Sequence, residues 1–338
     1  YTTENPIAFN PFYVEDGVFD IEKKESIKTT TEVSSEANTK EASAQVFAMD
    51  TYMNLKAYGK NAQKAVDDAK SEIERLDQLW SAVDKNSEIY QLNQKKKMKV
   101  SDETLELIEF AKKKSAQSGD AFDISVYPIV ELWGFPTQKY RVPSDSEIQS
   151  LLKNVDCQKI KINKKTNVVK LEKNMKIDLG GIAKGYIADQ LKAYLKEQNV
   201  SHALINLGGN VLALDGKPDG SDYNIGIQKP FAQNGEAITS VKIKDQSVVS
   251  SGIYERYFKV GDKIYHHILD PKTGYPYKNN LLGVSIVCDS STEADALSTT
   301  CFAMGLDDGL KYIEGIKGAE ALFITDDYEI HYSSGFPK

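Results

Sequence analysis

The chain has 338 residues, 41% hydrophobic and 27% charged, with a formal net charge of -7 at pH 7. That composition excludes collagen-like, coiled-coil and wholly disordered chains, and the acidic balance argues against a nucleic-acid-binding footprint. The odd cysteine count (Cys157, Cys288, Cys301) is no disulfide framework, and no stretch reaches the roughly 18 apolar residues of a membrane-spanning helix.

Residues 1–45 read as an arm and a tether. Phe9, Phe12, Tyr13 and Phe19 make the arm aromatic, whereas Glu25 to Gln45 is Ser, Thr, Glu, Lys and Ala with hardly an apolar residue. Such a segment buries too little surface to offset the entropy of ordering. Residues 46–338 read as one folded domain. Gln45–Tyr58 is strand-like, and Asn61–Trp80 is a helix with Ala65, Ala69, Ile73, Leu76 and Trp80 on one face. The basic runs Lys95–Lys97 and Lys112–Lys114 read as solvated surface. Ser101 and Asp102 open a helix to about Ser118. Short strands are expected at Val168–Leu171 and Lys176–Leu179, then a helix over Gly181–Gln198, then strands at Ala203–Leu207, Val211–Asp215, Tyr223–Gln228, Ser240–Lys244, Ser247–Ser251, Tyr257–Val260, Lys263–Leu269 and Gly283–Cys288. A helix over Thr292–Met304 and a hairpin of Ala321–Thr325 with Glu329–Tyr332 complete the pattern. Many consecutive strands with few helices give an α+β fold with mixed, largely antiparallel sheets.

Four segments could carry chemistry. Asp178-Leu179-Gly180-Gly181-Ile182-Ala183-Lys184-Gly185 joins a strand to a helix through glycines, where the backbone can approach a ligand and free N–H groups favour an anion. Lys184, one turn in, can add a positive charge to a phosphate; a tight turn with a surface lysine reads equally well. Asp295 and Thr299 lie four apart, on one side of their helix, and could offer oxygens to a hard cation such as Mg²⁺. Thr292-x-x-Asp295 also suits a capping box in which Asp295 only closes the helix end. On the strand around Ile264–Leu269, His266 points with Ile264 and Ile268 and suits packing, while His267 points the other way with Tyr265. A histidine there is a candidate general base, or a structural residue. Asp270-Pro271-Lys272-Thr273-Gly274 is a turn by composition. Ala121-Phe122-Asp123 could hold a flat ring and its polar edge, or be a core Phe beside a turn Asp.

Together these segments resemble the ApbE family of flavin transferases, secreted enzymes that move FMN from FAD onto a protein threonine. The resemblance runs from about Met49 to Met304. Its pieces occur in order: Met49-Asp50-Thr51, Ser87-Glu88-Ile89, Gly119 to Asp123, Asp178 to Gly185, Asn206-Leu207-Gly208-Gly209-Asn210, Ser250-Ser251-Gly252, His267 to Gly274, and Ala294 to Gly305. The resemblance implies that Met49, Ala121, Phe122, Asp123, Asp178, Lys184 and Ile268 contact FAD. It further implies that the Gly181 carbonyl, Asp295 and Thr299 hold Mg²⁺, and that His267 is the catalytic base. Asp50 stands where the family usually has Gly, and Val83 where an aromatic is common.

The implied activity is Mg-dependent transfer of FMN from FAD to a threonine hydroxyl of an acceptor protein, with release of AMP. Hydrolysis of FAD to FMN and AMP, or flavin binding without catalysis, are the alternatives. Asp270-x-x-Thr273-Gly274 resembles the start of the family's acceptor motif, but Tyr275 replaces the small residue expected next. The polar tether and a start at Tyr1 without Met fit the mature part of a secreted protein. With the resemblance, they lead to the expectation of a lipid-anchored protein outside a Gram-positive membrane.

Overall fold

The computed structural model describes residues 40–232 and 235–337; the aromatic arm and most of the polar run lie outside them. The chain enters through β1 (Glu41–Ala48), which pairs antiparallel with β2 (Thr51–Tyr58). Met49 and Asp50 make the turn with φ of 50° and 60°. Two consecutive residues in the left-handed region form the tight hairpin turn that matches strand twist. The single strand expected over Gln45–Tyr58 is therefore two. β1 also takes up Glu41 to Gln45, which composition had assigned to the tether; Ala42, Val46 and Ala48 are its buried residues, and small side chains hid the alternation.

α1 (Ala62–Trp80) buries Ala65, Ala69, Ile73, Leu76 and Trp80 as its periodicity requires. Next come α2 (Glu88–Lys95), β3 (Lys97–Lys99), α3 (Asp102–Gln117), α4 (Tyr127–Trp133), α5 (Asp145–Leu152), β4 (Lys161–Asn163) and β5 (Val168–Lys170). Lys176–Leu179 is not a strand. The Asn93 side chain takes both main-chain groups of Ile177, at 2.8 Å each, and Asp178 N–H donates to the Ile124 carbonyl at 3.0 Å. A side-chain amide thus stands in for the neighbouring strand. The lysine runs are also more engaged than solvated surface: Lys96 reaches the Met175 carbonyl at 2.8 Å, and buried Lys114 pairs with Glu293.

α6 (Gly180–Glu197) precedes β6 (His202–Asn206), β7 (Asn210–Leu214), β8 (Tyr223–Gln228), β9 (Ala237–Ile243), β10 (Ser247–Gly252), β11 (Tyr257–Val260), β12 (Lys263–His266) and β13 (Leu281–Cys288). α7 (Ser291–Met304), α8 (Leu306–Glu314), β14 (Ala319–Thr325) and β15 (Ile330–Tyr332) end the described fold. Helices α2, α4, α5 and α8 escape the sequence reading because each has only seven to nine residues, too few turns for a periodic stripe.

An eight-stranded antiparallel sheet in the order β1-β2-β6-β7-β10-β13-β14-β15 organises the molecule. Side chains alternate across it. Ile205, Leu212 and Leu214 face α1 and α6, whereas Leu204, Val211 and Ala213 face the β8–β9 hairpin. α7 and α8 cover β13 and β14 through Leu297, Phe302 and Ile313. A separate cluster around Trp133, Phe135, Ile148 and Phe258 seats the β11–β12 hairpin on α4 and α5. This α+β, largely antiparallel arrangement agrees with the pattern of the sequence. It brings the starts of α6 and α7, the end of β10 and the residues after β12 together.

Candidate active site

The start of α6 is open. Leu179, its N-cap, makes no side-chain cap bond. The Asp178 carboxylate lies against the Leu179 and Gly180 amides, while Gly181 is exposed and its N–H has no acceptor among the described residues. A side chain at Gly181 would crowd Phe122, whose ring edge lies 3.1 Å from the place of a Cβ. Burial raises the Asp178 pKa, and the adjoining amides, Arg256 and Lys184 oppose that rise. Lys184 is half-buried, and its charge acts on Asp178, Glu255, Asp295 and His267. One unclaimed amide and a half-buried ammonium therefore stand at this helix start, a combination that favours an anion.

The start of α7 is closed. Ser290 is its N-cap and accepts the Glu293 N–H at 3.3 Å. Asp189, from α6, takes the N–H groups of Ser291 and Thr292 at 2.8 and 2.9 Å, and the hydroxyls of Ser290 and Thr292 at 2.9 and 2.7 Å. Capping belongs to these two residues, so the reading of Asp295 as the cap fails. Asp295 is buried. Its Oδ2 accepts the Gly185 N–H at 2.8 Å, and its other oxygen has no hydrogen-bond partner among the described residues. Burial raises its pKa, with Lys184 and the Gly185 amide opposing. Helix geometry directs the Gly185 N–H to the Gly181 carbonyl as well, and a carbonyl oxygen that accepts one hydrogen bond keeps a second lone pair. Gly185 must be glycine: a Cβ would sit 2.4 Å from the Ser291 carbonyl oxygen. Thr299 follows one turn after Asp295, with Oγ1 3.3 Å from Ser251 Oγ. A buried carboxylate with an unpaired oxygen, a hydroxyl one turn on and the second lone pair of the Gly181 carbonyl form a donor set that suits a hard cation.

Arg256 fixes the histidine. Its carbonyl accepts the His267 main-chain N–H at 3.0 Å and lies 3.2 Å from His267 Nδ1. A carbonyl can only accept, so Nδ1 carries the proton and Nε2 keeps its lone pair. Burial, then Arg256, His266 and Lys184, lower the His267 pKa to about 3, so the ring is neutral near pH 7. His266 is buried; its Nε2 lies 3.1 Å from the Tyr277 carbonyl and its ring meets Phe302 edge-on at 5.9 Å. Ile268, expected on the same face, is buried as well, but Ile264 is 36% exposed near the hairpin end.

The other expected contacts divide. Met49 is tied to the site: its N–H donates to Asp77 Oδ1 at 3.2 Å, and its carbonyl accepts from Arg256 Nη2 at 3.3 Å. Phe122 borders Gly181 as described, and the Ala121 carbonyl accepts from the Tyr277 hydroxyl at 3.4 Å. Ile268 is buried, and its carbonyl accepts the Tyr277 N–H at 3.2 Å. The Asp123 carboxylate is already engaged. Oδ1 accepts from Ser125 N–H and hydroxyl at 2.7 and 2.6 Å, and Oδ2 from Cys157 N–H at 3.0 Å. It holds a turn, and Oδ2, with one hydrogen bond, keeps a lone pair. Val83 is 56% exposed. Asp189, Glu255 and Arg256 went unnoticed in the sequence. Asp189 stands one helical turn after Gly185 and could have been paired with it; the other two carry no local signal. Glu255 Oε1 accepts the Gly252 N–H at 3.0 Å. Burial raises its pKa to about 7 against the pull of Lys184 and Arg256, with Asp295 adding to the rise.

Fold and site define an α+β enzyme in which a helix start with a free amide stands beside a neutral histidine. The chain belongs to the ApbE family, whose sequence model matches residues 49–323. A protein of Klebsiella pneumoniae (strain 342) named FAD:protein FMN transferase is 36% identical over 266 residues, covering 78% of this chain and 82% of the relative. A protein of the same name from Treponema pallidum (strain Nichols) is 34% identical over 243 residues, covering 68% and 67%. The crystal structure of the ApbE protein of Thermotoga maritima superposes with a TM-score of 0.83 at 31% identity, over 88% of this chain and all (100%) of that one. The flavin transferase ApbE of Vibrio cholerae does so at 0.78 and 26%, over 88% and 98%.

Proposed function

We infer that this chain is an FAD:protein FMN transferase that moves FMN from FAD to a threonine hydroxyl of an acceptor protein and releases AMP. The observation that carries the reading is the tautomer of His267, locked by the Arg256 carbonyl with Nε2 free. Family membership and the named relatives support the substrate. In the step, Nε2 takes the proton of the threonine hydroxyl as its oxygen attacks the FMN-side phosphorus. A new P–O bond forms, the bridging P–O bond breaks, and AMP leaves with its electron pair. Lys184 and the free amide at Gly181 hold the pyrophosphate in line, and positioning supplies much of the rate. Phe122, Ala121, Ile268 and Met49 line the same site and are our assignment for the flavin and nucleotide contacts.

Asp295, Thr299 and the Gly181 carbonyl are the residues that would hold Mg²⁺. Bound there, it would supply Lewis-acid stabilisation of charge on the pyrophosphate. The polar run before β1 supports a tethered protein, and we place it on the outer face of a Gram-positive membrane by a lipid anchor. Native protein in the cytosolic fraction, from a gene without a signal sequence, would end that assignment. For the activity, the protein is incubated with FAD, Mg²⁺ and a candidate acceptor, and the acceptor is weighed by mass spectrometry. Covalent FMN on a threonine is expected; free FMN formed equally well without acceptor would point to hydrolysis instead.

A further inference from the structure

The Ser250-Ser251-Gly252 segment ends β10 opposite Val284 and Gly283 of β13, and no role has yet attached to it. Its hydroxyls settle the direction of a short proton chain. Ser298 Oγ lies 2.9 Å from the Asp295 carbonyl, which can only accept, so Ser298 donates there. Ser251 Oγ lies 2.8 Å from Ser298 Oγ. A hydroxyl has one proton and that of Ser298 is spent, so Ser251 donates to Ser298. Thr299 Oγ1 lies 3.3 Å from Ser251 Oγ, whose own proton is now spent, so Thr299 donates to Ser251. The chain runs one way, from Thr299 through Ser251 and Ser298 to the main chain of Asp295.

We propose that Ser251 is a positioning residue that pins the Thr299 proton and so keeps the Thr299 lone pairs free for a divalent cation shared with Asp295. The proposal rests on the reading of Asp295 and Thr299 as cation ligands. A hydroxyl is a poor ligand when its proton can swing toward the metal, and an outer partner that fixes it raises affinity. Partners of this kind are worth about 10- to 100-fold in metal affinity where they have been removed. Ser251 belongs to the sheet and Thr299 to α7, so the contact also sets the ligand against a rigid strand.

The test is a Mn²⁺ titration of the folded full chain followed by electron paramagnetic resonance, on wild type, Ser251→Ala, Ser251→Thr and Asp295→Ala, with thermal melts alongside. Ser251→Ala is expected to weaken Mn²⁺ binding about 10- to 100-fold, Ser251→Thr to stay near wild type, and Asp295→Ala to lose the site. If Ser251→Ala binds as wild type while Asp295→Ala does not, the positioning role is wrong and the cation site stands. If the affinity loss in Ser251→Ala comes with a large fall in melting temperature that Ser251→Thr fails to reverse, Ser251 only packs β10 on α7, and the proposal also fails. If wild type takes up no Mn²⁺, or Asp295→Ala binds it equally well, the cation reading itself falls and this proposal with it.

Discussion

Two helix starts meet at the site, and they are finished in opposite ways. The first turn of α7 spends its amides on Ser290 and Asp189, so its positive end is answered within the protein. The first turn of α6 has Asp178 alongside but leaves the Gly181 amide unclaimed in an exposed position. One start is therefore structure and the other can take a ligand's negative charge. The two depend on each other. Asp189 caps α7 from α6, and in doing so it releases Asp295, one turn further on, from the capping duty its spacing would otherwise suggest. Gly185 lets the helices approach closely enough for both contacts.

The sharpest break is at the groups on the open side. His267→Ala should lose most of the about 10²–10⁴-fold that a general base contributes, with FAD binding little changed, because proton transfer enters only in the chemical step. His266→Ala should instead lower the melting temperature and leave turnover per folded molecule near wild type. Loss of turnover in folded His266→Ala, with His267→Ala spared, would reverse the assignment. Asp295→Ala should cut transfer by orders of magnitude while the fold survives, since α7 keeps its caps. Equal transfer at saturating Mg²⁺ would remove the carboxylate from the site.

The closed side should answer in stability. Gly185→Ala puts a methyl 2.4 Å from the Ser291 carbonyl oxygen, which the helices can relieve only by separating. A cost of about 1–3 kcal/mol is expected for such overpacking, together with weaker transfer, since both helix starts shift. Asp189→Ala strips two amides and two hydroxyls of their acceptor and should cost a similar or smaller amount, about 1–3 kcal/mol. Its turnover per folded molecule should fall by less than about tenfold, below the loss expected for the base. Urea unfolding with activity measured on the same samples separates the two; a large turnover loss in stable Asp189→Ala would mean that the closed start also touches the reaction.

Much of this was legible before the structure, for identifiable reasons. α1, α3, α6 and α7 run over three to five turns, and their stripes of Ile, Leu and Ala point at the core; β13, buried along its whole length, is a plain apolar run. The α6 glycines read as a place where backbone comes close to a ligand; what Gly185 admits within the protein is the main chain of α7 at Ser291. What stayed hidden is long-range or one turn deep. The β1–β2 turn places Met49, a residue with no left-handed preference, at φ 50°, so the hairpin read as one strand. Asn93 replaces a strand partner 84 positions away. Asp189 and Arg256 act on groups from other elements, and a capping motif written in sequence, Thr292-x-x-Asp295, lost to a carboxylate more than a hundred residues earlier, Asp189.

The smallest expected effect separates the two titratable groups on the open side. The unperturbed histidine value would make activity fall as pH drops through about 6.5. In the folded protein His267 is lowered to about 3; a lowered base keeps its lone pair to a lower pH, so in the free enzyme it stays competent through the whole neutral range. Glu255 moves the other way, raised to about 7 by burial, with Lys184 and Arg256 opposing and Asp295 reinforcing. Below that value it is a neutral acid and Lys184 is free to attract the pyrophosphate; above it the carboxylate competes for the same ammonium. FAD affinity, measured by flavin fluorescence with divalent metal chelated, should therefore weaken by a few-fold between pH 6 and 8, under about tenfold because one pKa unit is worth about 1.4 kcal/mol. Glu255→Gln should hold the tighter, low-pH affinity throughout. A wild-type affinity that is flat across that interval, or that instead weakens toward acid and does so equally in Glu255→Gln, would show that the open start of α6 binds its anion without reference to this carboxyl.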